Sequence, residues 1–219
     1  MTGKEFVEGL LEEMGRLFAR LGETDTLQSE SDGKVDVVTL LKLALKSELE
    51  ASELAGFFMP STPEVDAKMA LALQCSDEMK HYGLISQRLA ELGEDLVGFD
   101  PLADGHSPLH QYLRGLRTTV ERIAAGTFAS EAIAEIRNTQ FVKFCESVGD
   151  SGTARLYSEI IQPEEIHHHL LGREILEKYA TTPELQELAA AAVRNTLAIA
   201  DELKDLAAKT TGVHNIPVS

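Results

Sequence analysis

Almost every stretch of this chain repeats its apolar residues at three- and four-residue steps, a period that only a helix with one buried face satisfies. Residues 4–21 set Phe6, Leu10, Leu11, Met14, Leu17, Phe18 and Leu21 on a single stripe, and an aperiodic polar run follows over 22–34. Asp36 is placed to cap a helix over about 37–58, with Val37, Leu41, Ala44, Glu48, Ala51 and Ala55 on one face. Thr62 reads as the N-cap, and Pro63 as the first turn, of a helix that reaches about Leu92 and stops at Gly93. Residues 93–107, rich in Gly, Asp and Pro, read as a crossover loop. Ser107-Pro108 opens a long periodic stretch from Leu109 to Val148, in which Gly126 reads as a break or kink. A sharp turn at 149–152 leads into a helix over about 153–179, and Thr182-Pro183 caps a last one ending near Thr211-Gly212.

No Val/Ile/Thr-rich alternation marks a strand, so the expected fold is all-α and a single domain over 1–219. Four long helices would occupy about 37–180, flanked by helices over 4–21 and 183–210. The short connections at 59–62 and 149–152 impose two antiparallel hairpins, and the longer segment between them lets the hairpins pair as a bundle.

The buried stripes of such helices should be apolar, because an unpaired buried carboxylate costs several kcal/mol or is forced to neutralise. Here acids interrupt them. Glu48 sits in the stripe of the first central helix, and Glu78 and His81 continue one of Leu71, Gln74, Cys75, Tyr82, Ile85 and Leu89. Glu131 and Glu135 share a face with Phe128, Asn138 and Val142, and the fourth helix carries Glu164-Glu165-Ile166-His167-His168-His169. Residues three apart are neighbours on a helix face, so Glu-x-x-His can offer an oxygen and a nitrogen to one metal ion. Glu78/His81 is one such pair, and Glu165/His168 or Glu164/His167 is a second. Consecutive histidines point about 100° apart, so the His167–His169 run cannot deliver three rings to one centre.

Alone, a Glu-x-x-His is ordinarily a surface ion pair. Two of them, each preceded by a helix bearing a core-facing Glu, make four carboxylates and two imidazoles. That set balances two divalent ions, and its oxygen-rich character suits Fe or Mn better than copper or structural zinc. Glu48 and Glu78 lie 30 residues apart, as do Glu135 and Glu165, which favours Glu165/His168 for the second pair. The third helix stays open. Glu135 has the matching interval, whereas Glu131 shares the pattern Ser-Glu-x-x-Ala with Glu48 (130–134 and 47–51).

In the segments ALKSELEASE (44–53), SDEMKHY (76–82), ASEAIAEIRN (129–138) and PEEIHHHLLG (163–172), the chain resembles the ferritin-like di-iron carboxylate superfamily. That class takes a Glu from each of two helices and a Glu-x-x-His from each of the other two. The resemblance spans about 37–180 and leans toward the oxygen-activating branch, with its tRNA hydroxylases and aldehyde-deformylating oxygenases, on the second His-bearing motif ending at Gly172. It implies two Fe ions, with Mn as the alternative, held by Glu48, Glu78, His81, Glu165, His168 and one of Glu131 and Glu135. It also implies O2 and an unidentified small organic molecule as co-substrates, with a reductase as electron donor. A ferroxidase or iron-handling protein and a manganese-catalase-like protein are the alternatives within the same superfamily.

A formal net charge of −16 argues against nucleic acid, which needs a basic stripe, and the one basic cluster is Arg114, Arg117 and Arg122. No apolar run approaches the ~20 residues of a membrane span. Met1–Leu10 does not read as a secretory signal, and Cys75 and Cys145, far apart, make no disulfide framework, which points to the cytoplasm. Both cysteines, with Tyr82 and Tyr157, read as packing residues, and His106, His110 and His214 as solvated loop histidines. The N-terminal stripe docks on the bundle or forms a homodimer contact.

Overall fold

A computed structural model describes residues 1–22 and 36–211, so the polar run after Gly22, the Gly212 helix stop and His214 lie outside the described residues. Within the described residues every regular element is helical and no strand occurs. The elements are α1 (Gly3–Gly22), α2 (Val37–Phe58), a 3-10 turn (Met59–Ser61), α3 (Val65–Glu91), α4 (Pro108–Arg114) and α5 (Thr119–Arg122). α5 runs on without interruption through a π-helical segment, π1 (Ile123–Ser130), into α6 (Glu131–Ser147). α7 (Ser151–Leu156), a second such segment, π2 (Tyr157–Ile161), and α8 (Gln162–Tyr179) follow in the same way, and α9 (Pro183–Thr211) is last.

The helix starts have local causes. Asp36 accepts a hydrogen bond from the Thr39 amide at 2.7 Å, satisfying one of the donors that α2 leaves unpaired at its N-terminus. Asp150 does the same for Thr153 at 3.0 Å, after a turn in which Gly149 takes φ +83°, a conformation that favours glycine. Two expected boundaries are corrected. Thr62 does not cap α3, which begins after Glu64; its hydroxyl donates to the Phe58 carbonyl at 3.0 Å and closes the end of α2 instead. The break in the third periodic stretch is not at Gly126, which lies inside π1, but between Arg114 and Thr119. There Thr118 and Glu121 form a reciprocal capping box that starts a new helix.

Side chains bury themselves in two apolar cores. One gathers Leu40, Leu41, Leu45, Ile85, Phe141 and Tyr157, with their neighbours on the same helices. The other gathers Leu54, Phe58, Leu71, Phe128 and Ile133 with buried faces of α1, α8 and α9, where Phe6, Leu10, Leu176 and Val193 meet. On α2 the first core is fed by residues up to Leu45 and the second from Leu54 onward. α3 runs the opposite way, from Ala67–Leu71 to Ile85–Leu89. The interval between the cores is where the acids fall.

Candidate metal centre

Glu48, Glu78, His81, Glu131, Glu165 and His168 all lie in that interval and are buried, none more than 3% exposed. α2 supplies Glu48, α3 supplies Glu78 and His81, the start of α6 supplies Glu131, and α8 supplies Glu165 and His168. Their ligand atoms form two groups, within each of which all lie within 4.8 Å of one another. One group is Glu48, Glu78, His81 and Glu165; the other is Glu78, Glu131, Glu165 and His168. The groups share Glu78 and Glu165, and each adds one carboxylate and one imidazole of its own.

Both imidazoles turn Nδ1 inward. His81 Nδ1 lies 3.4 Å from Glu48, 3.2 Å from Glu78 and 3.5 Å from Glu165. His168 Nδ1 lies 3.4 Å from Glu78 and 3.8 Å from Glu165. The outer nitrogens cross between helices: His81 Nε2 lies 2.8 Å from Glu164, and His168 Nε2 lies 3.1 Å from Asp77. Each acid that immediately precedes a Glu-x-x-His therefore holds the histidine of the other motif. A hydrogen bond donated at Nε2 fixes the ring and leaves the Nδ1 lone pair for a cation. Lys80 ties the two outer acids together, 2.5 Å from Glu164 and 3.3 Å from Asp77. Gln74 donates to Glu131 and accepts from the Thr127 hydroxyl at 3.0 Å, so the Glu131 carboxylate is oriented from π1 and α3 together.

Burial pushes Glu48 and Glu131 well above the usual carboxylate range. Burial opposes the ionisation of Glu78 too, but the imidazoles of His168 and His81 outweigh it and hold this carboxyl at about 2. Burial alone would lower both histidines, yet Glu48 and Glu78 raise His81 to about 12, and Glu165 and Glu78 raise His168 to about 10. Several inward atoms still lack a hydrogen-bond partner among the described residues: Oε2 of Glu48, Oε1 of Glu78, Oε2 of Glu131, both carboxylate oxygens of Glu165 and Nδ1 of His168. Orphaned buried acceptors are rare and costly, and their convergence fits a bound cation. The donor set, carboxylate oxygens with one imidazole per group, is that of an Fe, Mn or similar divalent site.

The alternatives left open by spacing separate here. Glu165 and His168 face inward, whereas Glu164 is half-buried and His167 exposed. Glu135 is half-buried and belongs to neither group. It stands one turn, about 6 Å, further along α6 than Glu131, below the level of the other ligand atoms. The two hairpins differ in their turns and in the π2 segment of the second, so equal intervals in sequence do not reach equal levels along the helices. His169 turns away, its ring stacked on Phe128 at 4.6 Å and its Nδ1 2.8 Å from the Phe128 carbonyl. Tyr157 is buried edge-on to Phe141, its hydroxyl has no hydrogen-bond partner among the described residues, and burial raises its pKa. Tyr82 and Cys75 are half-buried and Cys145 is buried. Reading by motif missed the roles of Asp77 and Gln74 and weighed Glu164 only as an alternative ligand, because each serves a residue on another helix.

Close approach of α8 to π1 brings the second motif to the centre. A Cβ on Gly172 would sit 2.9 Å from the Thr127 backbone, so only glycine lets these helices meet there. No helix among the described residues is long and apolar enough to cross a membrane. Comparison with family models, with curated proteins and with solved structures returns no match for this chain.

Proposed function

We propose that this protein is a carboxylate-bridged dinuclear metal oxidoreductase, with iron as its metal, and that its helices form a ferritin-like four-helix bundle with added terminal helices. The observation that carries this reading is the pair of overlapping buried groups that share Glu78 and Glu165. A carboxylate common to two groups is the device that holds two cations side by side, and four carboxylates neutralise two divalent charges. Glu48 and His81 would complete one ion's set, and Glu131 and His168 the other's.

When bound, two Fe ions would supply the electrons for activating O2 toward an organic substrate, with a reductase partner replenishing them. The chain's own residues set the conditions for that chemistry. Glu78 and Glu165, common to both groups, would hold both ions, and the apolar cores on either side would exclude water. His81 and His168 yield their inner protons as cations enter, while Glu164 and Asp77 keep the outer ring nitrogens occupied. Lys80, part exposed, connects the outer acids with solvent. The same oxygen-rich donors accommodate Mn as the alternative metal.

Anaerobic Fe(II) titration followed by O2 admission, read by O2 consumption, optical and Mössbauer spectroscopy, tests the proposal. We expect two tightly bound irons per chain and O2 uptake that stops after each pair of irons is oxidised. A ferroxidase would continue turning over added Fe(II). A stoichiometry far from two, or unchanged binding in the Glu78→Ala/Glu165→Ala variant, would overturn it.

A further inference from the structure

A cavity of about 50 Å³ opens between α2, the start of α4 and π1, and Glu131 lies in its wall. Leu54, Ala55, Phe58, Leu71 and Leu113 form its apolar sides, and Glu50 and Ser107 also line it. Two nitrogen-bearing side chains in the same wall are buried without a carboxylate partner among the described residues. His110, expected on a solvated loop, is instead 4% exposed, and neither ring nitrogen has a hydrogen-bond partner among the described residues; one face of the ring is stacked on His106 at 4.0 Å. Arg122 is 8% exposed and makes no ion pair among the described residues. Its Nε donates to the Leu116 carbonyl and its Nη1 to the hydroxyls of Ser61 and Thr62, and the guanidinium lies 4.8 Å over the Phe58 ring. Glu121, the carboxylate beside it in sequence, is committed to the Thr118 capping box. A guanidinium this buried pairs best with a carboxylate, and Glu50, which also lines the cavity, has its two oxygens on the Ser107 amide and hydroxyl, so the pairing is open to an anion from outside the chain.

Gly126 supplies an independent observation. It lines the cavity, its φ is not positive, and a Cβ built on it meets nothing within 4 Å. Neither backbone conformation nor close packing requires glycine there, although glycine weakens a helix interior relative to alanine. What the missing side chain leaves is open space in the cavity.

We propose that this cavity binds a compact monocarboxylate, its carboxylate on Arg122 and His110 and its apolar body against Leu54, Phe58 and Leu113, with the far end toward Glu131. Binding itself is independent of the metal; that the bound molecule is the substrate rests on the dinuclear reading above. A planar guanidinium matches a carboxylate with two parallel hydrogen bonds, whereas the neutral amide offers only one acceptor.

Isothermal titration of the full chain with acetate, butyrate, hexanoate and benzoate, each beside its primary amide, tests the assignment. We expect one-to-one binding of at least one of these carboxylates, at least tenfold tighter than its amide. Arg122→Leu should weaken it at least tenfold. Gly126→Leu, which fills the space without touching the polar wall, should abolish it while the melting temperature and its rise on adding metal are kept. Absence of binding by every carboxylate, equal affinity for the amides, or wild-type affinity in Gly126→Leu would overturn the proposal. With Co(II) loaded, the bound carboxylate should shift the visible absorption, and an unchanged spectrum at saturation would overturn its assignment as substrate. Failure of the metal reading shows separately, as wild-type protein whose melting temperature does not respond to metal.

Discussion

At the centre of the molecule, position along one helix turn separates a ligand from a bystander. Glu78 and Glu165 belong to both groups of donors, whereas Glu131 belongs to one. Alanine at Glu78 or Glu165 is therefore expected to lose both ions, alanine at Glu131 to lose one, and alanine at Glu135 to lose none; metal analysis after gel filtration checks all four. The acids on the outer ring nitrogens act one step removed. Asp77→Ala and Glu164→Ala should each retain the fold and weaken metal binding about 10–100-fold, read by competition with a chromophoric chelator. Glu78, His81, Glu165 and His168 are marked in the sequence by i, i+3 spacing, which a helix converts directly into adjacency. Glu131 and Glu135 are not separable that way, because both fall on one face and the level along the axis decides. The partners Asp77 and Glu164 are invisible to single-helix reasoning, since each serves a ring on another helix.

Among the elements, the π segments and one close contact do most to place the site. π1 ends at Ser130, just before Glu131, and π2 ends at Ile161, four residues before Glu165. Wider i→i+5 winding changes which face a following residue presents, a known device near functional sites. The contact of α8 with π1 rests on Gly172, so Gly172→Ala should cost about 1–3 kcal/mol in urea unfolding and loosen metal binding, because the Thr127 backbone cannot yield as a flexible side chain would. The helices themselves were legible because a 3.6-residue apolar period has few other solutions. Their boundaries were less so. Gly126 looks like a breaker by composition, while the operative signal was the Thr118-x-x-Glu121 box, whose paired hydrogen bonds start a helix whatever precedes it.

For the whole molecule, the buried layer couples stability to pH with opposite sign in the two metal states. In metal-free protein, Glu48 and Glu131 titrate above their ordinary range, and His81 and His168 at about 12 and about 10. Groups raised on folding contribute stability that is full below their unfolded pKa and drains as pH rises toward the folded value. Glu78, held at about 2, contributes above the ordinary carboxylate pKa and loses it as pH falls toward that value. The metal-free melting temperature should therefore decline from about pH 5 to about pH 9, while metal-loaded protein holds or gains because protons no longer compete for the ligands. Differential scanning calorimetry of both forms checks this, and a pH indicator should register proton release on metal addition. The sequence by itself determined that the chain is helical and that acids and histidines interrupt its buried stripes, because both are local properties of period and spacing. Which carboxylate joins the centre, which acid steadies which histidine, and that Arg122 and His110 face a cavity instead of solvent were decided only by the tertiary structure. Those relations depend on how separate helices rotate and slide against one another, and packing sets that for the whole molecule at once.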